Sequence, residues 1–432
     1  LPAAPWHHRR HPGRGRSRRV TQAPARGARG PAAAPRAPRA VAVPPEPRLT
    51  VELAPLGARL REEWEELARR TAASPFLRPG YLEAWTEGFG EPVGTRALVA
   101  RAGGRLEALT CLVAAGGRLR SVGNEETPDA GILASGPEAR AAVGRGLVAQ
   151  GAHRVTIGPL AGGDASHLAF VAAADAAGHR VLTRSVMRCP VVSTSGGWDA
   201  YWRGRSRNTR HKVERLLRRL DEAGRADFRM HAGDADLDAL LDEAFRVEAS
   251  GWKGDAGSAI ASRPESRRYY AALARWAAGR GWLRLGFLRL DGRPLAFGYG
   301  IEAGGVHSLL KIGFDPVFGR LSPGTLLLHR MIRHAFESGC SVFDFAGKAE
   351  PYKLTWATGV VEHVEVAAFR PSPRGRVELA AARGRRALAA SPAGPRLRRA
   401  RAALRSRSHR HRPGARVGAP AGRERTAGAG GQ

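Results

Sequence analysis

One stretch, residues 306–353, limits the folds available to this chain more than any other. Its first part, Val306–Phe314, is mostly apolar and has no helical period, which is typical of a buried strand. Residues 322–324, Ser-Pro-Gly, then open a helix, because serine favours the N-cap and proline the first helical position. Gly339 ends the helix, and residues 341–346, rich in Val and Phe, predict a second buried strand.

The loop that enters this helix predicts an anion site. The first N–H groups of a helix have no partners within it, and the helix dipole is positive at that end. Such a terminus suits a pyrophosphate. An ordinary loop that enters an ordinary helix is the alternative that these residues leave open.

Most of the positive charge is concentrated at the two ends of the chain. The formal net charge is +31, and residues 1–48 and 371–432 together carry 24 of those charges. Both segments are rich in Ala, Pro, Gly and Arg, so they bury too little apolar surface to offset the entropy of ordering, and we predict disorder. Aromatic residues do not alternate with the arginines as stacking platforms would require, so no specific nucleic-acid partner is predicted. Non-specific binding of polyanions by these tails is the alternative.

Cysteine usage and hydropathy predict a cytoplasmic protein. The three cysteines form no CxxC pair, and an odd number argues against a disulfide framework. No apolar run reaches the roughly 18 residues of a membrane span, and no apolar segment follows the basic N-terminus as a secretory signal requires. No metal site is predicted, and the sequence leaves the oligomeric state open.

The sequence between the tails divides into two α/β halves. Residues 49–190 are predicted to form an N-terminal lobe of alternating strands and helices, without an evident catalytic cluster. Residues 191–370 are predicted to form a second lobe, in which helices precede three antiparallel strands and a strand–helix–strand crossover. The predicted fold class is therefore α/β (α+β), with a mixed, mostly antiparallel sheet flanked by helices.

Six motifs within residues 198–356 occur in an order that resembles the GNAT (Gcn5-related N-acetyltransferase) superfamily. They are SRNTRHKVERLLRRL from Ser206, SGWKG from Ser250, RLDGRPLAFGYG from Arg289, KIGFDP from Lys311, LSPGTLLL from Leu321 and FDFAGKAEPYKLTW from Phe343. The motifs are most similar to the CelD/BcsL-type branch, named from cellulose-biosynthesis clusters, with its BioF2-like acetyltransferase domain. The resemblance implies tandem GNAT-like lobes, of which the first is a degenerate copy.

The resemblance also implies where an acyl carrier binds. In GNAT folds the strands before and after the helix separate, the pantetheine arm lies between them, and the pyrophosphate binds where the helix begins. The cofactor-binding residues that this implies are Lys311, Gly319, Arg320, Ser322, Gly324 and Thr325. The usual phosphate loop reads R/Q-x-x-G-x-G/A, whereas residues 319–324 read GRLSPG, and proline lacks an N–H. The carrier therefore stays open between acetyl-CoA, a longer acyl-CoA and an aminoacyl-tRNA, as in similar peptidoglycan-bridge transferases.

Acyl transfer needs a base for the acceptor proton, donors for the oxyanion and often an acid for the leaving thiolate. The candidate catalytic residues are Asp344, Glu350, Tyr352 and Lys353. Either carboxylate is the predicted base and the tyrosine the acid, while a structural role for Asp344 is the alternative. The candidate substrate-binding residues are Arg210, Trp252, Lys253 and Lys348. A solvated helix face for the arginine and a buried anchor for the tryptophan are the alternatives.

The predicted function is transfer of an acyl group, with acetyl as the first choice, from acyl-CoA to an amine or hydroxyl. The acceptor is a small molecule or a saccharide, by analogy with the family. The alternatives are a non-catalytic GNAT-like binding or scaffold protein and an aminoacyl-tRNA-dependent transferase.

Overall fold

The computed structural model describes residues 48–233, 236–251 and 260–391, and its strands form one large sheet. The first half contains β1 (Leu49–Ala54), α1 (Ala58–Arg70), α2 (Pro79–Phe89), β2 (Thr95–Ala102), β3 (Arg105–Ala115), β4 (Arg118–Ser121), β5 (Leu133–Ala134), α3 (Pro137–Ala149), β6 (Arg154–Ala161), α4 (Ala165–Ala176) and β7 (Arg180–Ser193). The second half contains α5 (Trp198–Arg203), α6 (Arg207–Ala223), β8 (Ala226–His231), α7 (Leu237–Ala249), α8 (Pro264–Ala278), β9 (Leu283–Leu290), β10 (Arg293–Ala303), β11 (Val306–Phe314), α9 (Pro323–Glu337), β12 (Val342–Asp344), α10 (Pro351–Leu354) and β13 (Gly359–Phe369). The predicted mixed, mostly antiparallel sheet flanked by helices is confirmed.

The two halves repeat the same order of elements. The series β1-α1-α2-β2-β3-β4-α3-β6-α4-β7 corresponds, element for element, to β8-α7-α8-β9-β10-β11-α9-β12-α10-β13. In both series three antiparallel strand pairs lead to one parallel pair, β4 with β6 and β11 with β12. The helix between the strands of the parallel pair is α3 in the first half and α9 in the second.

The halves exchange their last strands. The strand order is β1-β2-β3-β4-β6-β13-β7-β12-β11-β10-β9-β8, so β13 lies beside β6 and β7 lies beside β12. The last residues of β7, Val191, Val192 and Ser193, pair with β12. For this reason β7 continues past residue 190, where the sequence analysis drew the boundary between the lobes. The described residues as far as Pro371 form one compact unit.

Helices cover both faces of the sheet, and two of them pack unusually closely. In the first half α1 covers one face and α3 and α4 cover the other. In the second half α7 and α8 cover one face, while α6 and α9 cover the other. Helix α2 of the first half packs against α8 of the second at Gly88, where a Cβ atom would lie 2.8 Å from the Cα of Tyr269. Glycine is therefore required at this crossing of the two halves.

Several elements were not expected from the sequence. Strands β8 and β13 were not predicted, although β13 lies in the middle of the sheet between β6 and β7. Residues Pro373–Ala390 form a helix, α11, in a second compact unit, within the segment predicted to be disordered. Its Ser372 side chain accepts a hydrogen bond from the Gly375 N–H, and its alanines and arginines favour helix. No helix in the described part of the chain is long and apolar enough to cross a membrane.

A buried histidine on α9 makes the stability of the fold depend on pH. The His329 ring lies 5.1 Å from the rings of Trp198 and Trp202 and 6.4 Å from that of Trp356. Burial, with nearby arginines as a smaller cause, lowers the pKa of His329 to about 4. Below its ordinary pKa of about 6.5 the unfolded chain takes up a proton that the folded chain does not, so stability is lost as the pH falls.

We expect His329→Phe to remove this loss. Each pKa unit corresponds to about 1.4 kcal/mol. When the pH is lowered from 7.5 to 4, the free energy of unfolding of the variant should therefore rise by about 2–3 kcal/mol relative to that of the natural chain. Urea unfolding of both proteins at the two pH values measures the difference. An equal free-energy difference between the two proteins at both pH values would contradict the assignment.

Candidate active site

A gap opens in the sheet where β11 and β12 separate. Their parallel pairing lasts for only three residues and ends at Ser308 and Asp344. The chain after β12 turns toward β7, because the Phe345 N–H donates to the Pro190 carbonyl (3.2 Å). The register of β11 also shifts at Leu310, which has no partner on β10. The second part of β11 is therefore left without a neighbour on one side.

A cleft of about 860 Å³ fills this gap. One wall is the second part of β11, and the other is formed by residues 345–347 and α10. Helix α6 borders one side through Thr209, Lys212 and Val213, and α7 borders another through Glu248. The cleft ends at the loop before α9, and its volume lies within the range of sites for small molecules and cofactors.

The loop before α9 has a strained but well-defined conformation. Ser322 is the N-cap residue, as predicted, but it adopts a left-handed conformation (φ +51°) and its side chain makes no capping hydrogen bond. A non-glycine residue in this region costs about 1–3 kcal/mol and persists only where its surroundings enforce it. A Cβ atom on Gly324 would lie 3.3 Å from the Phe314 ring, so the helix begins directly against the end of β11. The first turn of α9 thus lies at the end of the cleft. Pro323 has no N–H, and the N–H groups of Ser322 and Thr325 donate to the carbonyls of Gly319 (3.0 Å) and Ser322 (2.9 Å), so Gly324 carries the N–H that is available for an anion there.

Three of the four predicted catalytic residues line the cleft together. The Lys353 Nζ lies 3.2 Å from a Glu350 carboxylate oxygen. Tyr352 lines the cleft two residues from Glu350, and burial together with this carboxylate raises the pKa of Tyr352 above its ordinary value. The tyrosine is therefore protonated near neutral pH and has a proton to donate. Glu350 is about half exposed, so its carboxylate is accessible from the cleft.

The fourth predicted catalytic residue, Asp344, does not line the cleft. Its carboxylate accepts a hydrogen bond from the Ala346 N–H (2.8 Å) and so holds the turn after β12, where Ala346 has a φ of +41°. Burial raises the pKa of Asp344, and it lies near His363 and Lys353. This environment favours the structural role for Asp344 and leaves Glu350 as the candidate base.

The remaining predicted residues are only partly brought together. Those that line the cleft are Lys311, Gly319, Ser322, Gly324 and Thr325. Arg320, Arg210 and Lys348 do not line it; Arg320 and Lys348 are exposed, and Arg210 is half-buried. Trp252 and Lys253 lie outside the described residues.

Two residues that line the cleft, Glu248 and Trp356, were not predicted from the sequence. Glu248 is 2% exposed, and its carboxylate accepts a hydrogen bond from the Ile260 N–H (2.8 Å). It continues the buried stripe of Leu241, Ala244 and Phe245 on α7, and an acid on an apolar helix face was the available signal. Trp356 lines the cleft and belongs to the core cluster that includes α9, and no signal in the sequence separated it from other core residues.

The charged side chains that line the cleft are only partly balanced. Two lining lysines pair with carboxylates, Lys353 with Glu350 and Lys311 with Glu126. No described acidic side chain lies within ion-pair distance of Lys212, on α6 beside the cleft. Lys212 therefore adds positive charge on the α6 side of the cleft. Among the described residues there is no group of three or more His, Cys, Asp or Glu side chains that would hold a metal ion.

Comparison with known proteins agrees with this geometry. Residues 207–354 match the family model described as acetyltransferase (GNAT) domain. No match was found among the curated proteins. The match covers α6 to α10 and so includes both strands that separate, the helix between them and the Glu350 cluster.

Solved structures resemble most of the described fold. The crystal structure of FemX has a TM-score of 0.51 at 13% identity, covering 76% of this chain and 99% of that one. The C-terminal domain of a putative lysylphosphatidylglycerol synthetase from Agrobacterium fabrum has a TM-score of 0.47 at 14% identity, covering 75% and 96%. A tandem GNAT protein from the clavulanic acid biosynthesis pathway has a TM-score of 0.38 at 15% identity, covering 75% and 100%. The likeness to FemX, with a TM-score above 0.5, shows that the two proteins share a fold. Residues 207–354 thus resemble a GNAT acetyltransferase domain, and the first half of the chain repeats the order of elements in the second.

Proposed function

We propose that this protein is an acyltransferase that moves an acyl group from acyl-CoA to an amine or hydroxyl acceptor. The observation that carries the proposal is the cleft between the separated strands β11 and β12, which ends at the beginning of α9. An extended pantetheine arm fits between the strands, and its pyrophosphate lies at the beginning of α9, beside the Gly324 N–H and the positive end of the helix dipole. Lys212 on α6 adds a positive charge for the phosphates of the carrier.

The Glu350 cluster supplies the proton transfers that the reaction needs. Glu350 takes the proton of the acceptor while the new C–N or C–O bond forms, and the C–S bond then breaks. Tyr352 donates its proton to the leaving thiolate. The proton held by Glu350 then returns to the tyrosine, two residues away in the same cleft, before the next turnover. Lys353, at 3.2 Å, holds the Glu350 carboxylate in place between turnovers.

The proposal names the acceptor only by its chemical class. An amine or a hydroxyl is compatible with a single carboxylate base. The acetyl group, the saccharide acceptor and the CelD/BcsL-type branch remain hypotheses that rest on the sequence motifs alone.

A second candidate carrier is an aminoacyl-tRNA. The observation that favours it is the number of cations on α6, which borders the cleft. They are Arg207, Arg210, Lys212, Arg215, Arg218 and Arg219. A track of cations along a helix suits a longer phosphate backbone than that of CoA.

Isothermal titration calorimetry on the natural protein tests the proposal. We expect acetyl-CoA or a longer acyl-CoA to bind at micromolar concentration, and thiol release from the bound form to accelerate with a panel of amines and amino sugars. Binding of tRNA without binding of either acyl-CoA would favour the second candidate. Binding of acyl-CoA without thiol release in the presence of any amine or amino sugar of the panel would favour the alternative of a non-catalytic scaffold protein.

A further inference from the structure

One carboxylate from the N-terminal half of the chain contacts a lysine that lines the cleft. Glu126 lies in the loop between β4 and β5, and its two oxygens are 3.1 and 3.3 Å from the Nζ of Lys311. The Tyr270 hydroxyl on α8 donates to the same carboxylate (2.7 Å). The Lys311 Nζ also lies 5.2 Å from the centre of the Tyr270 ring. The lysine is thus held by one residue from each half of the protein.

The loop that carries Glu126 is firmly held. The backbone N–H of Glu126 donates to the Asn124 side chain (2.9 Å), which also accepts a hydrogen bond from the Trp85 indole. Its backbone carbonyl accepts from the hydroxyls of Tyr81 (3.3 Å) and Tyr269 (3.5 Å). These bonds fix the direction of the carboxylate before any ligand arrives. Such pre-organisation by a supporting layer is a common requirement of functional sites.

Lys311 lies at the interior end of the cleft. The helix start that suits a pyrophosphate contacts β11 at Phe314, and Lys311 is three residues, or about 10 Å, closer to the point where β11 and β12 join. It also borders Leu310, the residue at which the register of β11 shifts. A carrier whose phosphates lie at α9 therefore brings its acyl end toward Lys311.

The distribution of lysine in the sequence singles out the same cleft. Of the 70 lysine and arginine residues only five are lysines: Lys212, Lys253, Lys311, Lys348 and Lys353. Three of them line the cleft, and Lys348 directly follows Gly347, another lining residue. Lys253 is two positions after the lining residue Gly251. Everywhere else in the chain arginine supplies the positive charge.

Lysine and arginine differ in ways that matter inside a cleft. Lysine carries a compact point charge, whereas the guanidinium group is a planar fork that pairs with carboxylates through two bonds. If only charge were required, a chain with this arginine bias would be expected to use arginine at these positions too. The presence of three of the five lysines in the lining of the cleft therefore indicates that the site needs the smaller ammonium group.

We propose that Glu126 and Tyr270 are positioning residues for Lys311, and that the Lys311 ammonium group contacts the carbonyl oxygen of the acyl group during transfer. The inference rests on the proposed function and extends it: the N-terminal half completes the active site of the C-terminal half. Negative charge develops on the carbonyl oxygen when the acceptor attacks, and a fixed cation beside it lowers the barrier. Lys311 gives up no proton in this step, because Glu350 and Tyr352 carry the proton transfers.

Glu126→Gln, Glu126→Asp and Lys311→Arg test the proposal in the full-length protein. Acetyl-CoA binding is measured by calorimetry, and thiol release is measured with the panel of amines. We expect Glu126→Gln and Lys311→Arg to lower kcat by about 10- to 100-fold with KM for acetyl-CoA changed less than threefold. Glu126→Asp, which keeps the charge, should recover part of the loss. A purely structural pair would not separate kcat from KM in this way.

Glu107→Gln is the matched control. Glu107 pairs with Arg70 at 3.1 Å, and the exposed fractions of these side chains, 16% and 20%, are close to the 17% and 22% of Glu126 and Lys311. Both carboxylate variants should lose similar stability in thermal unfolding, but only Glu126→Gln should lose kcat. Normal kcat in Glu126→Gln or in Lys311→Arg would overturn this inference alone. A natural protein that neither binds acetyl-CoA nor releases thiol would overturn the proposed function, and this inference with it.

Discussion

Replacing Gly324 by aspartate is expected to weaken acyl-CoA binding at least about a hundredfold, or about 3 kcal/mol. The new side chain begins 3.3 Å from the Phe314 ring, at the end of the cleft where the phosphates are proposed to lie. Its carboxylate brings a negative charge to the beginning of α9, where the phosphates would otherwise bind. The fold should be little affected, since Phe314 is 38% exposed and its ring is able to move, and an acid suits the first turn of a helix.

Two control variants separate charge from shape in this experiment. Gly324→Asn has nearly the same size without the charge, so it should retain more of the affinity. Gly57→Asp makes the same change in charge at the N-cap of α1, where a Cβ atom has no neighbour within 4 Å, and it should bind acyl-CoA normally. Calorimetry with acetyl-CoA and thermal unfolding measure the two effects. Equal affinity in the natural protein and in Gly324→Asp would show that the carrier binds elsewhere.

The central part of the fold was predictable from the sequence because its signals are local. The apolar strand β11, the proline at the beginning of α9 and the helical spacing of its leucines lie within about thirty residues, and each has a direct physical meaning. The first half was predictable at the level of its elements for the same reason. The short strand β12 was recognised because Val and Phe dominate it.

The parts that were missed depend on distant neighbours. Strand β13 lies in the middle of the sheet, between β6 and β7. No local sequence pattern indicates that the two halves exchange their last strands. Glu126 and Lys311 are 185 positions apart in the sequence, so their contact arises only from the packing of the two halves. Nothing around Glu126 distinguishes it from other acids in polar loops. The contact on which the proposed role of the first half rests was therefore beyond sequence reasoning.

The choice between the two candidate bases also required the structure. Asp344 and Glu350 are six residues apart and follow the same strand, and both were plausible from the sequence. A strand residue that pairs with β7 and β11 is held within the sheet, whereas a residue in the following loop is able to face the cleft. The turn at Ala346 separates the two cases, because it directs the chain away from β11.

Glu350→Gln is expected to lower kcat for acyl transfer by about 10²- to 10⁴-fold, the range typical of a general base. The amide has the same shape but takes up no proton, so the acceptor is left protonated and less nucleophilic. Acetyl-CoA affinity should change little, because Glu350 lies on the wall opposite β11, whereas the phosphates of the carrier are proposed to lie at the beginning of α9. Thiol release and calorimetry on the same protein samples measure the two quantities.

Glu337→Gln tests whether this loss is specific to the cleft. Glu337 pairs with Arg333 at 2.7 Å and is 57% exposed, compared with 3.2 Å to Lys353 and 47% for Glu350, so each variant removes a half-exposed carboxylate from an ion pair. The exposed pair of Glu337 contributes at most about 1 kcal/mol to stability, whereas Glu350→Gln also leaves the buried Lys353 without its carboxylate, so thermal unfolding of both variants is measured beside kcat. An unchanged kcat in Glu350→Gln would show that another group is the base. Asp344 and Glu248 would be the next carboxylates to replace, and Asp344→Asn should then act mainly through stability, since its carboxylate bonds the Ala346 N–H rather than facing the cleft.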